Sequence, residues 1–326
     1  MSTAPTTSVA GLSWGPRVFL RRLRSGDEIA RIVTLVFAMI TVVITGALVY
    51  QLWTQSAQAR RAFGWHFLSG QVWDPVFGHF GALPFIYGTL MSSALGLLIA
   101  VPLGLGAAIF LSELAPRRVS DGLTFLVDLL AAVPSVIYGL LGIFVLVPLM
   151  RTEIQPALKR TLGFLPLFQG PIYGIGFLTA GLVLAVMIVP FIISVSREVL
   201  LAVPFEQREA ALALGATRWE ATWRAVVPYA RTGIMGSIFL ALARALGETM
   251  AVTMVIGNNP RISSSLFGPG YSIAAVLANE FSEATGNLYL SALIELGLVL
   301  FLLTLVLNGL ARLLILVTTR RGTEVA

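Results

Sequence analysis

The chain reads as an all-α, polytopic membrane protein with six transmembrane helices, on three observations. Of its 326 residues, 57% are hydrophobic and only 12% charged, too little polar surface to solvate a globular protein of this size. Six apolar stretches reach the roughly 20 residues that cross a bilayer as a helix. No sustained period-two alternation occurs, which excludes a transmembrane β-barrel.

Ahead of the first span lies a tail, residues 1–31, whose first 24 are rich in Ser, Thr, Ala and Pro before an arginine cluster that either sits against anionic lipid or serves only as a topology signal. The first span, Ile32 to Trp53, is followed by Ala57-Gln58-Ala59, which has the look of a signal cleavage site. Its 22-residue apolar core exceeds the roughly 7–15 of a signal peptide, so it is read as a retained anchor. Thr54 to Pro84 is dense in aromatics (Phe63, Trp65, Phe67, Trp73, Phe77, Phe80) and is expected to lie at the membrane interface. His66, Asp74 and His79 fall here, but their spacing matches no metal-ligand motif.

The second span, Tyr87 to Leu111, carries Ser92, Gly96, Ala100, Gly104 and Ala108 at every fourth position, a stripe that lets another helix approach closely. The third and fourth spans are set at Leu123 to Leu149 and Pro171 to Ile193. Between them Arg151 to Gly170, interrupted by Pro156, Gly163 and Pro166, is expected to dip into the outer leaflet without crossing. The fifth span is set at Thr232 to Ile256 and the sixth at Leu288 to Leu316, with residues 317–326 as a tail. The outer loop Gly257 to Asn287 has a turn-rich half followed by a helical pattern from Ser272 to Phe281, a surface suited to an external partner.

Charge sorts by side. Fifteen arginines fall on one side of these spans, including Arg17, Arg21, Arg117, Arg118, Arg197, Arg208, Arg218 and Arg312. Six basic residues fall on the other, Arg60, Arg61, Arg151, Lys159, Arg160 and Arg261. The positive-inside rule then puts both termini in the cytoplasm and turns a net charge of +6 into a topology signal, with no nucleic-acid partner implied. No cysteine is present, so disulfides and thiolate metal sites are excluded.

Two constellations carry function. The cytoplasmic segment 196–231 reads as a two-helix hairpin: Pro204 in a first turn, Glu206 and Glu209 at a helix N-terminus, Gly215 as a left-handed stop, a Thr217/Glu220 capping box, and Pro228 as the end. Ala210, Ala211 and Leu214 give its first helix a small, apolar face suited to a groove on another protein. In the fifth span, Arg244 and Glu248 stand four apart, where they share a helical face and pair. Ionisable residues in a membrane helix cost about 2.5–3.5 kcal/mol each on insertion scales, so the pair either locks packing or serves a transport path. In the second reading Arg244 meets a passing oxyanion, Glu248 holds it when the path is empty, and Thr249 and Thr253 add hydroxyls. Asp128 and Glu295, the remaining acids within spans, are not read as substrate contacts.

The chain has no phosphate-binding loop, since its one lysine, Lys159, follows Leu158. An intramembrane hydrolase is disfavoured because both histidines lie in the outer loop and no Gly-x-Ser-x-Gly occurs. A channel or ion-coupled carrier stays open on the residues alone.

Glu209-Ala210-Ala211 with Gly215 and Pro228 resembles the EAA loop of ABC importer permeases, although Ala225 and Val227 depart from its tail. Arg244-Ala245-Leu246-Gly247-Glu248-Thr249, with Ala131 to Gly139 and Trp73-Asp74-Pro75, resembles the phosphate importer permeases of PstC type. The resemblance covers about residues 70–316. It implies a type I ABC importer permease architecture in a bacterial inner membrane, with phosphate as substrate, where physics alone admits sulfate or molybdate. It further implies a second permease of PstA type, a PstB-type ATPase pair that binds the ATP and Mg, and a PstS-type external phosphate-binding protein. On this resemblance Glu209, Ala210, Ala211, Gly215 and Pro228 couple to the ATPase, Arg244, Glu248 and Thr249 line the substrate path, and the chain holds no cofactor.

Overall fold

The computed structural model describes residues 27–323. The expected tail therefore lies largely outside the described residues. Among the described residues, six helices are long and apolar enough to cross a membrane. The chain falls into two compact units divided between Thr54 and Gln55. The first unit contributes α1, Asp27–Gln55, whose apolar side chains such as Leu35, Phe37 and Val42 are exposed. A helix apolar all round is what hydrocarbon solvates.

In the second unit α2 spans Ala57–Phe63, followed by a two-stranded hairpin in which Trp73 pairs with Phe80 and Asp74 with His79. The aromatics of this segment divide. Phe67 and Phe80 are buried with Phe85 and Tyr271, while Trp65 and Phe77 are exposed. The segment expected to lie along the interface is thus half a protein core. Trp73 donates to Glu280 (2.8 Å), and Tyr289 donates to the same carboxylate (2.7 Å), tying the hairpin to the last two helices.

The second crossing helix, α3, runs Leu83–Leu114 and ends in a π-turn from Phe110. Its main neighbour is α6, Phe177–Leu201. The small-residue stripe faces this helix of the same chain: a methyl on Gly96 would meet Leu184 Cβ at 2.9 Å, and one on Gly104 would meet Ile192 Cγ2 at 2.8 Å. Pro190 is accommodated within α6, which continues to Leu201, beyond the expected Ile193.

The third span moves. Residues Arg117–Ala131 form a separate helix, α4, of 15 residues, about 22 Å and too short to cross 30 Å of hydrocarbon. Pro134 is extended and ends the ladder, so the crossing helix α5 begins at Ser135 and continues to Leu162. The stretch 151–162, expected as non-crossing chain, is the end of that helix. Pro156 does not break it because it follows a π-turn, Met150–Ile154, where the regular ladder is already displaced.

After α6 come α7, Phe205–Ala213, and α8, Arg218–Leu246. Then follow α9, Met250–Ile256, α10, Ile273–Glu280, and α11, Asn287–Thr323. The helical pattern after Ser272 is present, with Ser272 Oγ accepting from Ala275 N at 3.2 Å. The loop before it is anchored through Tyr87, which donates to Ser263 O (2.7 Å), and the start of α10 through Ile273 N, which donates to Thr89 Oγ1 (2.9 Å). Substituting Gly104 by Leu overpacks the α3–α6 contact and costs about 1–3 kcal/mol. A lower melting temperature of the detergent-solubilised chain is expected, with Gly106→Leu, whose site is open, as the unaffected control.

Candidate functional site

The hairpin sits at the base of α3 and α6. Gly215 closes the first helix at φ +85°, a conformation other residues adopt only at a cost. Thr217 and Glu220 restart the chain as a reciprocal capping box: Glu220 N donates to Thr217 Oγ1 (3.3 Å), and Thr217 N donates to Glu220 Oε2 (2.9 Å). Glu209 and Ala210 are exposed and Ala211 is half-buried.

Pro228 was expected to end the second helix and does not. A π-turn at Thr222–Val226 precedes it, and the proline falls in the first turn of the next α-helical segment, where its missing N–H costs little. The hairpin's second arm is therefore continuous with the fifth crossing helix, 29 residues in all.

An ion pair that sequence reasoning missed fixes the first arm. Arg208 Nε and Nη2 donate to the Glu113 carboxylate at 3.0 and 2.7 Å, and the guanidinium also donates to the carbonyls of Val203 (2.6 Å) and Leu200 (2.8 Å). Both side chains are largely covered, 17% and 8% exposed. A two-point fork of this kind fixes orientation as well as distance. Trp219 and Trp223 stack edge to face, centroids 5.5 Å apart, on the exposed side of α8.

The second constellation differs from expectation. Arg244 lies in the last turn of α8, which stops at Leu246; Gly247, Glu248 and Thr249 form a break before α9. Spacing of four presumes one unbroken helix, and Gly247 interrupts it. Arg244 and Glu248 are not within ion-pair distance. The Glu248 carboxylate instead accepts from Ala251 N at 3.1 Å, satisfying a backbone donor at the start of α9. Arg244 is exposed, with its guanidinium carbon 5.7 Å from the Phe191 ring centre. Thr249 Oγ1 donates to Gly247 O (3.3 Å) and Thr253 Oγ1 to Thr249 O (2.7 Å), so both hydroxyls serve local backbone. Asp128 accepts from Ser194 Oγ at 3.1 Å, and Glu295 is buried, 6% exposed.

The break rests on a firm wall. In α9, Ala251, Val252, Val255 and Ile256 are buried against α5, where Gly139 permits contact: a methyl there would lie 3.1 Å from Ala251 Cα. Irregular backbone at membrane depth is tolerated where it is buried in protein or lines a water-filled cavity. One wall packed in protein and a guanidinium exposed on the other side fit the edge of such a cavity.

A family profile described as Binding-protein-dependent transport system inner membrane component matches residues 100–316. The phosphate transport system permease protein PstC of Mesorhizobium japonicum is 49% identical over 297 residues, covering 90% of this chain and 91% of its own length. This chain belongs to the PstC-type inner membrane permeases. The PstC of Xylella fastidiosa strain Temecula1 is 46% identical, with 93% and 94% covered. Among solved structures, a bacterial ABC transporter involved in the import of the acidic polysaccharide alginate aligns with a TM-score of 0.55 over 89% of this chain and 98% of that one. At 18% identity it supports the permease fold alone.

Losing one partner of the Arg208–Glu113 pair is expected to cost about 3 kcal/mol locally, because the other charge is left covered and unpaired. In Arg208→Ala, hydrogen exchange of amides in residues 205–221 should accelerate about 100-fold. The swap Arg208→Glu with Glu113→Arg should recover part of the protection.

Proposed function

We propose that this permease forms half of the gated passage of an ATP-driven importer for inorganic phosphate, with its termini and the hairpin of residues 196–231 in the cytoplasm. What carries the reading is the near-full-length similarity to permeases named for phosphate transport, together with an exposed arginine at a helix break in the fifth crossing helix. A planar guanidinium suits a tetrahedral oxyanion. Arg244 contacts the passing anion; Glu248 acts by capping α9 and holding the break open, with Thr249 beside it. The chain supplies no nucleotide site of its own, and ATP and Mg belong to a partner ATPase pair.

Glu209, Ala210, Ala211 and Gly215 dock that ATPase, while Pro228 lies in the helix that passes its motion on. A second permease of PstA type completes the passage, and an external binding protein of PstS type delivers phosphate to the outer loops. The setting is a bacterial inner membrane.

Phosphate uptake in cells or proteoliposomes tests this reading, with sulfate and molybdate uptake alongside. Arg244→Gln should lower phosphate uptake by about 100-fold or more, the scale of lost charge-assisted hydrogen bonds, while assembly and ATP turnover survive. Glu248→Gln should be milder, because an amide oxygen still accepts from Ala251 N; equal loss in both would contradict the capping role. Glu209→Lys with Ala210→Arg should reduce co-purification of the ATPase by about tenfold or more without unfolding the chain.

A further inference from the structure

Beside the hairpin lies a cleft of about 680 Å³, bounded by the end of α3, the start of α4, the end of α6 and both hairpin arms. Its lining includes Arg117, Arg197, Arg208 and Arg218 against Glu113 and Asp121: four cations and two anions, a net of +2. One cation–anion couple is spent, since Arg208 satisfies Glu113 and two carbonyls. Arg197 uses Nη1 on Glu198 (3.0 Å), but its Nε is buried without a hydrogen-bond partner. Arg117 and Arg218 form no ion pair among the described residues. The helix that opens onto the cleft, α4, follows Pro116 with no side-chain cap, so the N–H groups of its first residues, Arg117 and Arg118, add to the positive character.

Arg117 and Arg218 thus turn guanidinium donors without a carboxylate partner toward the cleft, and a multi-oxygen anion engages several such donors at once. We propose that this cleft binds a phosphate group, from free inorganic phosphate or from an anionic lipid headgroup, between Arg117, Arg197 and Arg218. A phosphate there bridges α4, α6 and the start of α8, and so stiffens the hairpin against the crossing helices on the side away from Glu209 and Ala210. Only the cleft's assignment to the cytoplasmic side rests on the importer reading; the binding itself does not.

The test uses the full chain with its co-purifying subunits in phosphatidylcholine nanodiscs. Phenylglyoxal modification of arginines is mapped by mass spectrometry with inorganic phosphate, with phosphatidylglycerol, and with neither. Expected is slowing at Arg117 and Arg218 of about tenfold at a ligand concentration ten times the Kd. Arg224 and Arg231, exposed outside the cleft, should react unchanged. Protection by inorganic phosphate identifies the free anion, and protection by phosphatidylglycerol alone identifies the lipid. Equal reaction of Arg117 and Arg218 under all three conditions overturns the proposal. As a second measurement, phosphorus NMR line broadening of whichever ligand protects should be lost in Arg117→Gln/Arg218→Gln and kept in Arg244→Gln; the reverse pattern would place the phosphate in the transport path and refute this site. Failed uptake with intact protection would count against the importer reading alone.

Discussion

Backbone crossing hydrocarbon must satisfy its own hydrogen bonds, and the functional geometry of this permease follows from where it does not. The crossing helices keep their ladders, adjusting through π-turns at Phe110–Leu114, Gly142–Leu146, Met150–Ile154 and Thr222–Val226. The fifth span departs from this at Gly247–Thr249. There the freed groups are met locally by the Glu248 carboxylate and by threonine hydroxyls, and the last turn before the break presents Arg244. A charge that would be expensive in lipid is consistent with an aqueous lining.

The hairpin and this break are two ends of one rod. From Arg218 to Leu246 the helix is about 43 Å long without interruption, so displacement at the hairpin end reaches the arginine directly. The other arm is fastened to the second crossing helix by the Arg208–Glu113 fork. A push on the hairpin therefore acts on α3 and α8 together. Because α3 is locked to α6 through the glycine and alanine stripe, these helices respond as a packed group.

Six long apolar helices, the capping box and the left-handed Gly215 were legible because each depends on residues close in sequence. The prolines show where local reading ends. Pro134 breaks a helix and Pro228 does not, since the latter follows a π-turn and falls in the first turn of the next helical segment. The Arg244–Glu248 pairing failed for a similar reason: regular spacing presumes a helix, and Gly247 ends it. The stripe on α3 was readable as a packing face, but its neighbour was not. Nor was the fork, which joins residues 95 apart. Similarly, the aromatic segment after the first span reads as interfacial by composition, and becomes partly core through Phe85 at the start of α3, Tyr271 just before α10 and Tyr289 in α11.

The absence of native cysteine allows the central claim, that the break faces an aqueous passage moved by ATP, to be tested by one thiol introduced at a time. In the assembled transporter, the rate at which Thr249→Cys reacts with a charged, membrane-impermeant methanethiosulfonate is measured with and without ATP turnover, beside Val252→Cys, whose site is 1% exposed. The account predicts that Thr249→Cys reacts, that ATP turnover changes its rate, and that Val252→Cys stays inert. A Thr249→Cys thiol as inert as Val252→Cys in both conditions would contradict it.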